Sequence, residues 1–444
     1  MADSLPQFTE ADIDLEVPAS ARRTRIFKPS DETVEVARPV ERRRTFLSTI
    51  DLPLLVLFGL LLAIGSLMIY STTFDWSYQE FGSDTYIFMQ HVRNLAIGGT
   101  VFVLLTLINY RVWKRFVVLL LLATIGSLIA VLLFSDLTFG ARRAFLEGSY
   151  QPGELAELTI VIYMSAWLGS KNTKVGSFTQ GLIPFAMLVG VIGGLVALQP
   201  DLTTTVTIFI VAGTMFFLAG ANILHLGVVL GSLGAAGYFL AENLSYAQDR
   251  IGPFFASLTD FTQATYQARQ AMIAFMNGGW TGVGLGQGKQ KFGFLPTPHT
   301  DSIFAVIGEE LGFIGAMFVI ALFVLLVIRG LQIARRAHDP FGSLLAAGVT
   351  LWIITKAMMN IAVMINLIPT SGVALPFISY GGSSLITLMA GTGLLFSVAR
   401  VTALENTPEG RKTSAHDDRG WGNRWTRLSG DSGRRSDQRS SSRR

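Results

Sequence analysis

About ten stretches of this chain stay apolar for roughly the 18 residues that a helix needs to cross some 30 Å of hydrocarbon, and nothing else limits its fold as strongly. They lie near residues 53–72, 91–109, 116–134, 154–169, 181–199, 202–220, 226–243, 302–328, 343–367 and 381–400. Half of the 444 residues are hydrophobic and 15% are charged. Mean hydropathy is +0.47, far from the balance of a soluble globular domain. The expected fold is an all-α polytopic membrane protein of about ten transmembrane helices over residues 51–401, with one long extracytoplasmic loop, 244–301, between the seventh and eighth.

Polar tails flank these spans. Residues 1–50 hold no apolar signal-peptide core, so the first span is expected to act as its own insertion signal. Arg22, Arg23, Arg25, Lys28, Arg38, Arg42, Arg43 and Arg44 crowd the first tail, and residues 402–444 are rich in Arg, Ser and Gly; both read as disordered. Lys and Arg near span ends favour the cytoplasm. With ten spans, both tails fall on one side with the turns holding Arg111, Lys114 and Arg115, Lys171 and Lys174, and Arg329, Arg335 and Arg336. Both termini are therefore expected in the cytoplasm, and residues 135–153, 244–301 and 368–380 outside. The basic tails suit anionic lipid or a protein partner, and neither carries a nucleic-acid-binding module. The chain has no cysteine, which excludes disulfides, thiolate nucleophiles and cysteine-ligated metals.

A loop as long as 244–301 between packed spans is uncommon unless functional or disordered. It carries Asp249, Arg250, Asp260, Arg269, Gln270, Lys289, Lys291, His299 and Asp301, with the glycine run TGVGLGQG at 281–288. Closely spaced glycines can aim N–H groups at an anion, and Lys289 and Lys291 favour a phosphate-bearing ligand. The G-x-G-x-x-G pattern nevertheless fails at Gln287, and a turn-rich re-entrant segment remains the alternative. Arg142 and Arg143 lie on the outer side, just before SYQPGELAEL. They are either snorkelling anchors or, with Glu154 and Glu157, part of an ion-binding cluster.

Ionisable groups inside spans cost about 2.5 kcal/mol or more each, and they pair or line a wet cavity. Glu154 and Glu157 share one face of the fourth span, Glu309 and Glu310 lie in the eighth, Lys356 is central in the ninth, and Asp201 opens the sixth. Asp301 differs, because it precedes an apolar run and sits at the outer mouth of a helix. The helix N-terminus there favours the carboxylate, whereas apolar neighbours favour the acid. A site balanced between them could hold a general base near neutral pH, and an ordinary N-cap role is equally open.

The motifs HTDSIFAVIGEELGFIGA, GGWTGVGLGQGKQKFGFLP, QPGEL, QPDL and NLIPTSGVALPFISYGGSS, in that setting over about 53–400, resemble the SEDS family of shape, elongation, division and sporulation proteins. The resemblance implies a ten-helix glycosyltransferase of the bacterial cytoplasmic membrane that polymerises lipid II on the outer face. It also implies a class B penicillin-binding protein as partner, alongside other divisome or elongasome membrane proteins. Asp301 matches the family's HTD acid and would take the proton of the acceptor 4-hydroxyl. Substrate contacts are then expected from Arg142, Arg143, Glu154, Gln270, Lys289, Lys291, His299, Ser379, Tyr380 and Ser383. A polar network is expected from Glu157, Asp201, Glu309, Glu310, Lys356 and Asn360. No cofactor is demanded, although a divalent cation, magnesium or manganese, would suit pyrophosphate departure. The loop before Asp301 resembles the division branch more than the elongation branch.

Several positions depart from the family pattern. Glu157 stands where Lys is usual, Ala144 for Trp, Ser302 for an aromatic and Lys356 for Gln. A buried lysine needs a partner, so Lys356 is expected to pair with Glu309, Glu310 or Glu157 as a displaced replacement for the cation missing at 157. Rival readings are a flippase for lipid-linked precursors, in which the charges serve alternating access, and a weakly catalytic scaffold for the transpeptidase.

Overall fold

The computed structural model describes residues 49–134, 151–171, 173–225, 227–229, 231–232, 234–235 and 245–406. Most of the Arg-rich tails, Arg142 and Arg143, and much of the expected seventh span lie outside them. The described helices are α1 (Leu52–Phe81), α2 (Tyr86–Leu107), α3 (Trp113–Phe134), α4 (Pro152–Leu168), α5 (Ile183–Ala197), α6 (Leu202–Leu218), α7 (Ser245–Ser257), α8 (Tyr266–Gly278), α9 (Ile303–Arg336), α10 (Pro340–Met364) and α11 (Gly382–Glu405).

Seven helical segments among the described residues are long and apolar enough to span a bilayer. Of the other expected spans, α4 and α6 form helices of 17 residues, each about 25 Å long by helical rise. Local chemistry sets several boundaries. Asp51 caps α1 by accepting from the Leu54 N–H, with Pro53 in the first turn, and Gly82 ends the helix in the left-handed region at φ 69°. Asp201 and Asp339 cap α6 and α10 in the same way. Asp201 thus opens its helix as expected, and its contacts are local, with Thr204. The last helix runs to Glu405, past the expected end at 401, because nothing before Pro408 interrupts it.

Burial separates inner from outer helices. The apolar windows of α10 and α11 are 67% and 78% buried inside the protein, whereas α2 shows 17% and offers the rest to lipid. Small residues allow the inner helices to close up. A Cβ on Gly98 of α2 would stand 2.5 Å from Met389 Sδ of α11, so this pair meets nearly backbone to side chain.

One span is not a continuous helix. Gly312 breaks α9 with φ 67° and ψ −170°. The freed groups pair with the glycine loop that precedes Asp301. Val283 and Gly284 N–H donate to the carbonyls of Glu309 and Glu310, both at 3.0 Å, and Phe313 and Ile314 N–H donate to those of Gly279 and Trp280 at 2.9 and 3.1 Å. In hydrocarbon an unpaired backbone group is prohibitive, so the loop is what makes the break tolerable. This also explains the glycines. A Cβ on Gly282 would come 2.1 Å from the Glu310 carbonyl, and one on Gly312 would come 2.3 Å from the Gly282 nitrogen.

Candidate active site

The turn that delivers Asp301 is gripped through its backbone. Asn360 of α10 donates to the carbonyls of Asp301 at 2.7 Å and Val373 at 2.6 Å. Ser379 donates to the Thr300 carbonyl at 2.6 Å and accepts from the Leu375 N–H at 2.8 Å. The Tyr380 N–H donates to the His299 carbonyl at 2.8 Å. From α8, Gln267 donates to Ser302 Oγ at 2.9 Å, and that hydroxyl donates to the Pro296 carbonyl at 2.8 Å. Main-chain anchors of this kind fix where a side chain starts without using it, which a positioned base requires. Thr297 and Phe377 take positive φ of 46° and 66° where these segments meet, local strain of the sort that collects at functional turns.

Asp301 does not occupy the cap position. That place belongs to Ser302, which makes no side-chain cap bond, because its hydroxyl is engaged by Pro296 and Gln267. The half-buried Asp301 carboxylate faces Gly372 instead, where an added Cβ would lie 3.2 Å from Oδ2. Nearby, burial lowers the pKa of His299 to about 4 and keeps its ring neutral. That ring stacks on Trp76 of α1 at 4.8 Å and meets Tyr380 edge-on at 5.9 Å. Burial raises the Tyr380 phenol, Arg93 opposes the shift, and its hydroxyl donates to Gln90 Oε1 at 2.8 Å. Sequence reasoning passed over Gln90, Arg93, Gln267 and Trp76. Gln90 and Arg93 carried a signal, since they lie three apart at the start of an otherwise apolar stretch.

The intramembrane charges form two separate clusters. Lys356 Nζ lies 2.6 Å from Glu154 Oε2 and 2.9 Å from Glu157 Oε2, and Trp352 Nε1 donates to the same Glu157 oxygen at 2.7 Å. Of the partners expected for Lys356, Glu157 is one, and Glu154 rather than Glu309 or Glu310 is the other. Lys356 lies one turn before Asn360, so this triad shares a helix face with the anchor of Asp301. The second cluster joins Glu310 to Lys291 at 2.6 Å and to Ser71 Oγ at 2.8 Å. Glu309 accepts from the N–H groups of Lys289 and Gln290, both at 3.1 Å, and Gly286 N–H donates to Glu310 Oε2 at 3.0 Å.

These contacts correct the phosphate-cradle expectation for the glycine run and Lys291. The N–H groups of Gly286, Lys289 and Gln290 face the protein's own carboxylates, and the Lys291 side chain is 1% exposed and bound to Glu310. Lys289 keeps an exposed side chain. Gln270 is half-buried on α8, but Gln267, three residues earlier, is the one that touches the Asp301 turn. Ser383 is half-buried in the first turn of α11. Arg142 and Arg143 lie outside the described residues. Among the described residues no group of three or more His, Asp or Glu side chains could hold a metal ion. The pair Glu154 and Glu157 is already taken by Lys356, so the described residues do not fit a divalent cation.

Residues 52–404 match the family model described as FtsW, RodA and SpoVE cell cycle protein. The chain is 37% identical over 363 residues to the probable peptidoglycan glycosyltransferase FtsW of Geobacter metallireducens, a match covering 81% of this chain and 96% of that one. It is 34% identical to the stage V sporulation protein E of Bacillus subtilis, over 79% of this chain and 97% of that one. In structure it resembles the rod shape determining protein RodA of Thermus thermophilus, with a TM-score of 0.59 and 25% identity over 79% and 97% of the two chains. A chain from a study of polymerization and crosslinking by a peptidoglycan synthase complex shares the fold at a TM-score of 0.64, with 23% identity over 80% and 98% of the two.

Proposed function

This chain belongs to the FtsW, RodA and SpoVE family, and from that premise we propose that it is a peptidoglycan glycosyltransferase which polymerises lipid II at the outer face of the cytoplasmic membrane, with Asp301 as general base. Asp301 takes the proton of the acceptor 4-hydroxyl as that oxygen attacks the anomeric carbon of the donor. The bond from that carbon to undecaprenyl pyrophosphate breaks, the pyrophosphate leaves with the electron pair, and the configuration inverts. Of the cations assigned to the leaving group, Lys291 is bound to Glu310, so the proposal rests that role on Lys289, Arg142 and Arg143.

The observation that carries the reading is the held turn, a half-buried carboxylate against Gly372 with its backbone fixed by Asn360, Ser379 and Tyr380 and the neighbouring Ser302 hydroxyl held by Gln267. A class B penicillin-binding protein is the proposed partner, cross-linking the strands this chain makes. The broken α9 favours a second reading, since interrupted helices also serve transporters of lipid-linked cargo. Against that, the freed backbone groups at the break are occupied by the glycine loop. Reconstituted protein given labelled lipid II separates these readings. Glycan polymer supports the enzyme, translocation without polymer the transporter, and neither supports a scaffold.

A further inference from the structure

A cavity of about 470 Å³ opens between the outer end of α1 and residues 291–299. The glycosyltransferase reading does not use it, and His299 in its wall lies two residues before Asp301 in the chain. The 30-residue α1 is about 45 Å long, so its last three turns extend beyond roughly 30 Å of hydrocarbon. Those turns carry Asp75, Trp76 and Gln79, which line the cavity opposite His299 and Lys291.

The chemistry of the lining selects among ligands. Lys291 stands in the wall, but its ammonium is taken up by Glu310 at 2.6 Å and Ser71 at 2.9 Å, and it lies over the rings of Phe74 and Phe292 at 5.3 Å each. Lys291 and Glu310 cancel, His299 is neutral, and Asp75 gives the lining a net negative charge. A pyrophosphate or other anion is therefore disfavoured. Gln79 Nε2 donates to Asp75 Oδ2 at 2.8 Å, which sets an amide and a carboxylate side by side with acceptors and donors to spare. Trp76 is 44% exposed beside them, and His299 stacks on its ring. An aromatic face next to a carboxylate and amide pair matches an uncharged, hydroxyl-rich ring, with C–H groups on the indole and hydroxyls on the polar pair.

We infer that this cavity is a saccharide subsite, in which Trp76, Asp75 and Gln79 hold a sugar of the glycan so that the neighbouring unit is presented to Asp301. The inference deepens the glycosyltransferase reading and rests on it for the choice of sugar. An indole at the end of a span also serves as a membrane-interface anchor, and the test separates the two roles.

The full chain in nanodiscs is titrated with a lipid-free β-1,4-linked N-acetylglucosamine tetramer, and binding is read by saturation-transfer NMR. Weak binding, roughly millimolar, is expected for wild type and Asp301→Asn. It should be lost in Trp76→Ala, weakened about tenfold in Gln79→Ala and unaffected by inorganic pyrophosphate. In polymerisation assays Gln79→Ala should act through KM and Asp301→Asn through kcat. Wild-type binding retained in both Trp76→Ala and Gln79→Ala, or displacement of the tetramer by pyrophosphate, would overturn the inference. A wild-type protein that binds the tetramer but forms no polymer would instead overturn the glycosyltransferase reading and leave the subsite standing.

Discussion

Lys356 is the cation of a buried triad with two carboxylates, and removing it leaves both without a counter-charge in a medium that cannot solvate them. Lys356→Met should therefore cost about 3–5 kcal/mol of stability. Adding Glu157→Gln to that variant should recover part of the loss, and thermal unfolding in detergent measures both. His299 makes a pH prediction. Its folded pKa of about 4 lies below the ordinary value of 6.5, so between those values the unfolded chain holds the extra proton. The contribution of this group is complete above the ordinary value and is lost as pH falls toward the folded one. Wild type should thus lose more thermal stability than His299→Gln as pH is lowered from 7 to about 4.5. Equal losses would place the ring in water.

At the scale of elements, the break in α9 and the loop that fills it stand or fall together. Gly312→Ala and Gly282→Ala each force a Cβ into backbone at 2.3 and 2.1 Å and also require positive φ; each should cost about 3 kcal/mol or more. Gly286 has φ 78° with nothing within 4 Å of an added Cβ, so Gly286→Ala should cost only about 1 kcal/mol. Urea or thermal unfolding of the three variants compares them, and equal losses would contradict the docked-loop geometry. The spans were legible in the amino-acid sequence because apolar runs report directly on hydrocarbon. The break was not, because Gly312 followed by Phe313 looks like any tolerated glycine in a helix. The glycine run illustrates the same limit. Its N–H groups could face an external anion or carboxylates some twenty residues away, and spacing along the chain cannot distinguish them. Lys356 was easier, since the energetic demand for a partner named Glu157 in advance, although not Glu154.

Across the whole molecule, the Asp301 turn and a second ionic clasp lie at opposite ends of α10. At the far end Asp339 accepts from Tyr110 and binds Arg111 at 2.8 Å, and Arg111 also binds Glu405. Arg329 binds Asp51 at 2.8 Å at the start of α1. These partly exposed pairs tie helix ends together at the side that the Lys and Arg distribution assigns to the cytoplasm. The native chain has no cysteine, which makes that assignment testable by single substitutions. Gln79→Cys should react with a membrane-impermeant maleimide added outside cells, and Lys114→Cys only after permeabilisation. The reverse pattern would put Asp301 on the wrong side for a lipid-linked sugar. Asp301 itself was singled out by its match to the family's HTD motif, since a carboxylate before an apolar run fits an ordinary N-cap equally well. Of the residues holding its turn, Asn360, Ser379 and Tyr380 were named beforehand for other roles, whereas Gln267 became visible only once α8 was folded against it.

The most direct test of the central claim is the rate of lipid II polymerisation by purified Asp301→Asn, which keeps the shape of the side chain and removes the base. With folding verified by an unchanged melting profile, the account predicts a loss of about 10²–10⁴ in kcat. A variant that extends glycan at the wild-type rate would contradict it.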